Sequence, residues 1–253
     1  MRTADEYPKI KLTKGKVFIG CSGFSESLWK GFFYPEDLPS QDYLKYYSGH
    51  LNAVEINSTF YRRPRPTTIQ KWYDESPEDF RFFIKVHKYF SHNKRMQDCK
   101  EELTVFCDNI SKILNEKLAG FLFQMPPSFK YSEENLQRII ETTDKNYLNV
   151  VEFRHNSWWN ETVLDQLKKH KIIFSGVSFP KDIPDDVMVN SDDCIYYRLH
   201  GVPELFKSEY SEEFLDNLGK KINDFKGEKY IFFNNTFGIA GIKNALYLYK
   251  ILK

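Results

Sequence analysis

Cysteine is scarce and badly spaced for chemistry: four residues, none in a C-x-x-C pair, leave no thiol-redox motif and no disulfide framework to read. Cys99 and Cys107 fall in one expected helix and read as packing residues; Cys21, in Gly20-Cys21-Ser22-Gly23, reads as inert packing rather than as a nucleophile. Residues 1–16 are polar and lack the apolar stretch of a signal peptide, and no later run approaches membrane-spanning length. A cytoplasmic chain with no membrane partner is therefore expected. Lys and Arg number 36 against 35 Asp and Glu, and a net charge of +1 excludes a global basic field for nucleic acid or acidic lipid. Any anion-binding capacity must come from local clustering. No G-x-G-x-x-G follows the first strand-like run, no G-x-x-x-x-G-K-[ST] occurs, and no H-E-x-x-H or comparable ligand spacing is present. Repeats, low-complexity tracts and linkers are likewise missing.

Aromatic residues, at 17%, are the abundant class. Short apolar runs recur at 17–21, 53–57, 82–87, 120–124, 149–154, 172–177, 195–200 and 230–234. Helix-like stretches lie at 41–49, 67–75, 99–118, 132–144, 161–170, 211–225 and 238–252, whereas 180–194 reads as loop. Strands alternating with helices over this length predict an α/β fold closed as a single (β/α)8 TIM-like barrel, one domain over 1–253 with 1–16 as a polar extension.

Four of the runs end in two polar groups spaced i, i+2: Glu55 and Asn57, Lys85 and His87, Glu152 and Arg154, Arg198 and His200. Alternate strand residues share a face, so each pair is expected to project inward at the strands' carboxyl ends. Lys85, Arg154 and Arg198 bring three positive charges against two from Glu55 and Glu152, and Gln124, Asn57, Asn234 and Asn235 add neutral hydrogen-bonding groups. A closed ionic plug is the alternative to an active site. His87, His92, His155 and His200 fall at strand ends or just beyond, while His50 and His170 suit helix C-termini. With the two glutamates they could hold a divalent metal; several cations at the same mouth argue against it. Two loops, 58–65 and 88–95, gather Arg62, Arg63, Arg65, Lys88, Lys94 and Arg95 beside Phe60, Tyr61, Tyr89 and Phe90, a mixture suited to a phosphate carried on something flat. Phe24, Trp29, Phe32, Phe33, Tyr34, Trp158 and Trp159 are expected to form a lid or a sugar platform, and Asn234-Asn235-Thr236-Phe237-Gly238 leads into a helix as a second anion candidate.

Ordered motifs resemble the YecE-like family, domain of unknown function 72: Gly20-Cys21-Ser22-Gly23-Phe24, Val54-Glu55-Ile56-Asn57-Ser58-Thr59-Phe60-Tyr61-Arg62, Phe123-Gln124-Met125-Pro126-Pro127, Val151-Glu152-Phe153-Arg154-His155 with Ser157-Trp158, Tyr197-Arg198-Leu199-His200-Gly201 and Phe233-Asn234-Asn235. The resemblance implies a TIM barrel and chemistry compared with sugar isomerases or metal-dependent endonuclease barrels. Thr236 stands where the family usually has Asp, and Gly176-Val177-Ser178 lacks an acidic residue often found there. Both departures remove carboxylates from any metal site.

The expected function is acid/base catalysis on a phosphorylated sugar or nucleotide-like anion. Glu55, Glu152 and His200 are the expected catalytic groups; Asn57, Tyr61, Lys85, His87, Gln124, Arg154, His155, Trp158, Arg198, Asn234 and Asn235 are the expected substrate-binding groups. No cofactor is assigned, and a divalent metal stays open. The alternatives are a metal-dependent barrel and a nucleic-acid-binding module without catalysis.

Overall fold

The structure, a computed structural model, describes residues 17–180, 183–185, 189 and 193–252. The polar stretch 1–16 and part of the expected loop 180–194 lie outside these residues. Among the described residues, nine parallel strands form two sheets. The first is ordered β1 (Val17–Cys21), β9 (Glu228–Phe233), β8 (Cys194–Leu199), β7 (Gly176–Ser178); the second runs β2 (Ala53–Ile56), β3 (Arg81–Lys85), β4 (Leu118–Gln124), β5 (Asn149–Glu152), β6 (Ile172–Phe174). Eight α-helices among the described residues accompany them: α1 (Tyr43–Ser48), α2 (Ser58–Tyr61), α3 (Pro66–Glu75), α4 (Lys100–Leu114), α5 (Glu133–Thr142), α6 (Glu161–Lys169), α7 (Glu212–Asp224) and α8 (Ala240–Ile251). Three begin where capping chemistry predicts. Ser132, Asn160 and Ser211 each accept a hydrogen bond from the backbone N–H three residues on, and Glu follows in each first turn.

The expected closed barrel is not what the hydrogen bonding gives, because its ring of ladders is interrupted. No ladder joins β1 to β2. Two side chains stand in its place: Asn52 accepts from Ile19 N–H at 2.8 Å and donates to Val17 C=O at 2.7 Å, while the Tyr47 hydroxyl accepts from Cys21 N–H at 2.7 Å and donates to Ala53 C=O at 3.0 Å. Backbone polar groups that cannot pair with each other must find other partners, and these two residues supply them. Gly20 permits the approach, since a Cβ there would lie 1.9 Å from the Ala53 carbonyl oxygen. The segment read as one strand over 172–177 also divides. Ser175 N–H still donates to Val151 C=O at 2.9 Å, but from Gly176 onward the chain pairs with β8 in the other sheet.

Side-chain alternation builds two apolar layers. Ala53, Phe83, Leu122, Val150, Ile173, Tyr196, Tyr230 and Phe232 meet between the sheets, with the Phe83 ring 4.7 Å from Tyr196 and 4.9 Å from Tyr230. Intervening residues such as Val54, Phe82, Ile84, Phe121 and Val151 join the larger core that also contains Leu103, Leu136, Val163 and Ile222 from the helices. Coverage of both faces explains why β2, β5 and β8 are buried along their whole length. Among the described residues, no helix is long and apolar enough to cross a membrane.

Candidate functional site

Two residues beyond the layer between the sheets, the same strand faces turn polar. Ala53 leads to Glu55, Phe83 to Lys85, Leu122 to Gln124, Val150 to Glu152, Tyr196 to Arg198 and Phe232 to Asn234. Arg198 is the hub. Its Nη2 donates to Glu55 Oε1 at 2.6 Å and its Nη1 to Glu152 Oε2 at 2.6 Å, with all three side chains fully buried. Glu55 also accepts from Ser22 Oγ at 2.7 Å and from the Tyr196 hydroxyl. Glu152 accepts from Arg154 Nε on its other oxygen.

Burial on its own would raise the Glu152 carboxyl; Arg154, Arg198 and then His200 outweigh it and hold the group well below the usual carboxylate range. Burial likewise opposes charge on Arg198, yet Glu152 and Glu55 raise its affinity for the proton. The inner layer is thus a closed lattice of paired charges.

His200 connects this lattice to a more accessible rim. Its Nε2 lies 3.2 Å from Glu152 Oε2 and 3.3 Å from Arg154 Nη2, and its Nδ1 lies 2.8 Å from Asn234 Nδ2. An amide N–H pointing at Nδ1 and a carboxylate at Nε2 fit a neutral ring carrying its proton on Nε2. Burial, then Arg154, pushes its pKa down to about 3. Arg154 also lies over the Phe179 ring at 4.3 Å.

Lys85 has no partner of this kind. Its Nζ donates to the neutral Gln124 Oε1 at 2.7 Å and sits 4.3 Å from the Phe60 ring centroid. Among the described residues no carboxylate lies within ion-pair distance of it. Burial, followed by the charge of Arg198, pushes its pKa down to about 7, against a smaller upward pull from Glu55 and Glu152. With the two arginines balanced by the two glutamates, the excess positive charge counted from sequence resides on this amine.

Several expected site residues stand elsewhere. Trp158 is fully buried, stacked on Phe153 at 4.0 Å with its indole N–H donated to Phe129 C=O. Asn235 is fully buried and donates to Ser208 C=O and Asn244 Oδ1. His155 accepts from Ser157 N–H and caps a short turn. His87 and Tyr61 meet only through the Tyr61 carbonyl, 3.3 Å from His87 Nε2, and the Tyr61 ring is exposed. Asn57 does reach the rim: its Nδ2 lies 3.5 Å from Asn234 Oδ1, and its own Oδ1 is buried with no partner among the described residues. The aromatic run after β1 is core, with Trp29, Phe33 and Tyr34 buried around Tyr47. Cys21 is buried, and burial raises its thiol well above the ordinary value.

Sequence reasoning omitted Ser22, Tyr196 and Phe179 from the site and placed His92 among the candidate metal ligands alone. Tyr196 was within reach, because it precedes Arg198 by two on the same strand face. The His92 ring packs edge-on against Phe60 at 4.9 Å, and burial, then Lys85, pushes its pKa down to about 4. Among the described residues, no three His, Cys, Asp or Glu groups gather that could hold a metal ion. The glutamates considered as ligands already bind guanidinium groups.

Parallel strands alternating with helices, and a buried ionic layer at their carboxyl ends, define an α/β protein with a polar strand-end site. The family model described as "Protein of unknown function DUF72" matches residues 18–253, and the chain belongs to that family. The UPF0759 protein YunF of Bacillus subtilis is 26% identical over 269 residues, covering 93% of this chain and 94% of its own length. YecE of Escherichia coli is 31% identical over 86 residues, 34% of this chain and 31% of its own. A DUF72 family protein of Thermotoga maritima aligns with a TM-score of 0.83 at 33% identity, covering 93% of this chain and 98% of its own. Another, from Enterococcus faecalis, has a TM-score of 0.79 at 24% identity, with coverage of 93% and 95%.

Proposed function

We propose that the strand-end cluster binds a small anionic substrate, a phosphorylated sugar or nucleotide-like molecule, and transforms it by proton transfer. The observation that carries this reading is the Lys85 amine, which meets a neutral amide oxygen and, among the described residues, no carboxylate within ion-pair distance. An incoming anion supplies the charge this mouth lacks. Arg154 and Lys85 would hold the anionic group, and the unpartnered Asn57 oxygen with Asn234 and Gln124 would meet hydroxyl groups.

Proton transfer near neutral pH suits Lys85, whose two forms coexist there, better than the carboxylates. The catalytic roles expected of Glu55, Glu152 and His200 become positioning roles in this reading: they hold the guanidinium groups of Arg198 and Arg154 in place. Four free, buried cysteines support a cytoplasmic location.

Binding of ribose 5-phosphate, measured by titration calorimetry at low salt, tests the reading. It should exceed binding of ribose at least tenfold and fall at least tenfold in Arg154→Met, as loss of a charge-assisted hydrogen bond of about 1.5–3 kcal/mol requires. Equal affinity for the two sugars would refute it.

A separate cleft of about 350 Å3 favours a second reading. It is lined by Ser58, Arg62, Arg63, Arg65, Thr68 and Trp72, and its three arginines are exposed. It suits nucleic-acid phosphates. The rings nearby are less available than expected, since Phe60 and Phe90 are buried and Arg63 lies over Phe90. Affinity for a single-stranded oligonucleotide that falls steeply with salt, and falls again in Arg62→Ala/Arg65→Ala, would support this reading.

A further inference from the structure

We infer that Lys85 is a nucleophile that forms an imine with a small anionic carbonyl compound, a keto acid or a ketose phosphate, whose anionic group rests against Arg154. This rests on the reading of the mouth as an anion site and specifies the substrate chemistry.

Three observations converge on the amine. It stands at the carboxyl end of β3 and is nearly buried, with 8% exposure left toward solvent. An ammonium offers three N–H groups, and the structure provides a single neutral acceptor, Gln124 Oε1, together with the Phe60 face. The groups acting on it electrostatically are Arg198 and Arg154, which disfavour its charge, and Glu55 and Glu152, which favour it but are bound to those same arginines. Desolvation and neighbouring cations are what make a lysine nucleophilic, because the lone pair is released near neutral pH. A surface lysine is almost wholly protonated at that pH and reacts far more slowly.

The step balances without an oxidant or reductant. The Nζ lone pair attacks the carbonyl carbon, and the C=O π pair moves to oxygen, which takes up a proton as nitrogen releases one. The carbinolamine then expels water and the C=N bond forms, so amine and carbonyl give imine and water. Hydrolysis reverses it. Protonation of the imine nitrogen creates an electron sink that permits loss of a proton from the adjacent carbon. Solvent receives that proton, because the His92 imidazole at the same Phe60 ring, with its pKa pushed down to about 4, holds one poorly at neutral pH. The Arg154 guanidinium, anchored on Glu152, fixes the anionic end.

The unaltered protein can be tested, so no variant need fold. Limiting formaldehyde with cyanoborohydride at pH 7, followed by peptide mapping, reports the reactivity of each lysine toward the smallest carbonyl. Lys85 should be methylated at least about tenfold faster than exposed lysines, since a pKa near 7 in place of about 10.4 raises the neutral fraction by far more than that. Borohydride added to protein with pyruvate, and separately with dihydroxyacetone phosphate, should leave a reduced adduct on the Lys85 peptide from one of them. The successful probe distinguishes a carboxylate from a phosphate substrate.

Methylation of Lys85 no faster than of surface lysines overturns the inference, as does fast methylation with no adduct at Lys85 from either probe. Protection of Lys85 by inorganic phosphate separates the two levels. Protection without an adduct leaves the anion site standing and removes the imine, whereas neither protection nor adduct removes both.

Discussion

Arg198 and Lys85 occupy equivalent positions, each one alternation above the aromatic layer between the sheets, yet they lie in opposite physical states. Arg198 divides its guanidinium between Glu55 and Glu152, and its planar fork suits two carboxylates at once. Lys85 meets an amide oxygen and a ring. Two cations of similar depth therefore differ in what they can still do. The arginine is committed to architecture, and the lysine retains a proton that can leave and a lone pair that can react. Partner chemistry, not burial, separates a structural charge from an available one.

The sharpest way to break this comparison is to remove each cation and compare signs. Arg198→Met strands two buried carboxylates and should cost about 3–5 kcal/mol in urea unfolding at pH 7. A loss under about 1 kcal/mol would mean that the lattice is not a structural unit. Lys85→Met should act in the opposite direction, stabilising by about 1–3 kcal/mol at pH 6, because it deletes a cation that burial disfavours.

The sign follows from the lowered folded pKa. Between about 7 and the unfolded value of 10.5, the unfolded chain holds a proton that the folded chain has released, so wild-type stability rises with pH across that window. The variant should show no such rise, and its advantage should fade by the top of the window. A destabilised Lys85→Met at pH 6 would place the lysine with Arg198 as an architectural group.

This contrast was only half legible in the sequence. The i, i+2 polar pairs placed Glu55, Lys85, Glu152 and Arg198 on one face, because strand alternation is a property of local backbone geometry. Which cation takes which carboxylate depends on distances across the sheets, and no local pattern encodes them. The placement of the loop residues was hidden for a related reason. Trp158 and Asn235 lie just beyond β5 and β9, where alternation has ended, and their side chains turn into the surrounding core. Ring closure was also misread. Spacing of strands and helices reports their order, whereas the β1–β2 seam is decided by Asn52 and Tyr47, two polar residues with no strand or turn signature. The break at Ser175 coincides with the Ser175-Gly176 pair, a turn-type dipeptide whose signal is hidden by the apolar residues on either side.

The smallest expected effect concerns His200, the link between lattice and rim. Its folded pKa of about 3 lies below the ordinary value of 6.5, so between those values the unfolded chain binds a proton that the folded chain excludes. Stability must therefore fall as pH drops through this window, by at most about 1.4 kcal/mol per pH unit for one proton. Glu152 adds its own loss only at lower pH, because a depressed carboxylate keeps its contribution until pH falls below its unfolded value of 4.5 and then through its folded one. The interval from pH 6.5 to 5 therefore precedes the Glu152 loss, though it also carries His92, His87 and the tail of the Lys85 titration. His92 shares that slope, so the informative quantity is the difference between wild type and His200→Gln rather than either slope alone. A direct check is the His200 imidazole resonance, which should not titrate above pH 5. Asn234→Ala removes the amide N–H aimed at Nδ1, the nitrogen that would receive the second proton, and should move the titration upward. An unchanged titration in that variant would show that burial and Arg154 alone keep the ring neutral, placing His200 wholly within the lattice and leaving Lys85 as the group at this mouth that changes protonation near neutral pH.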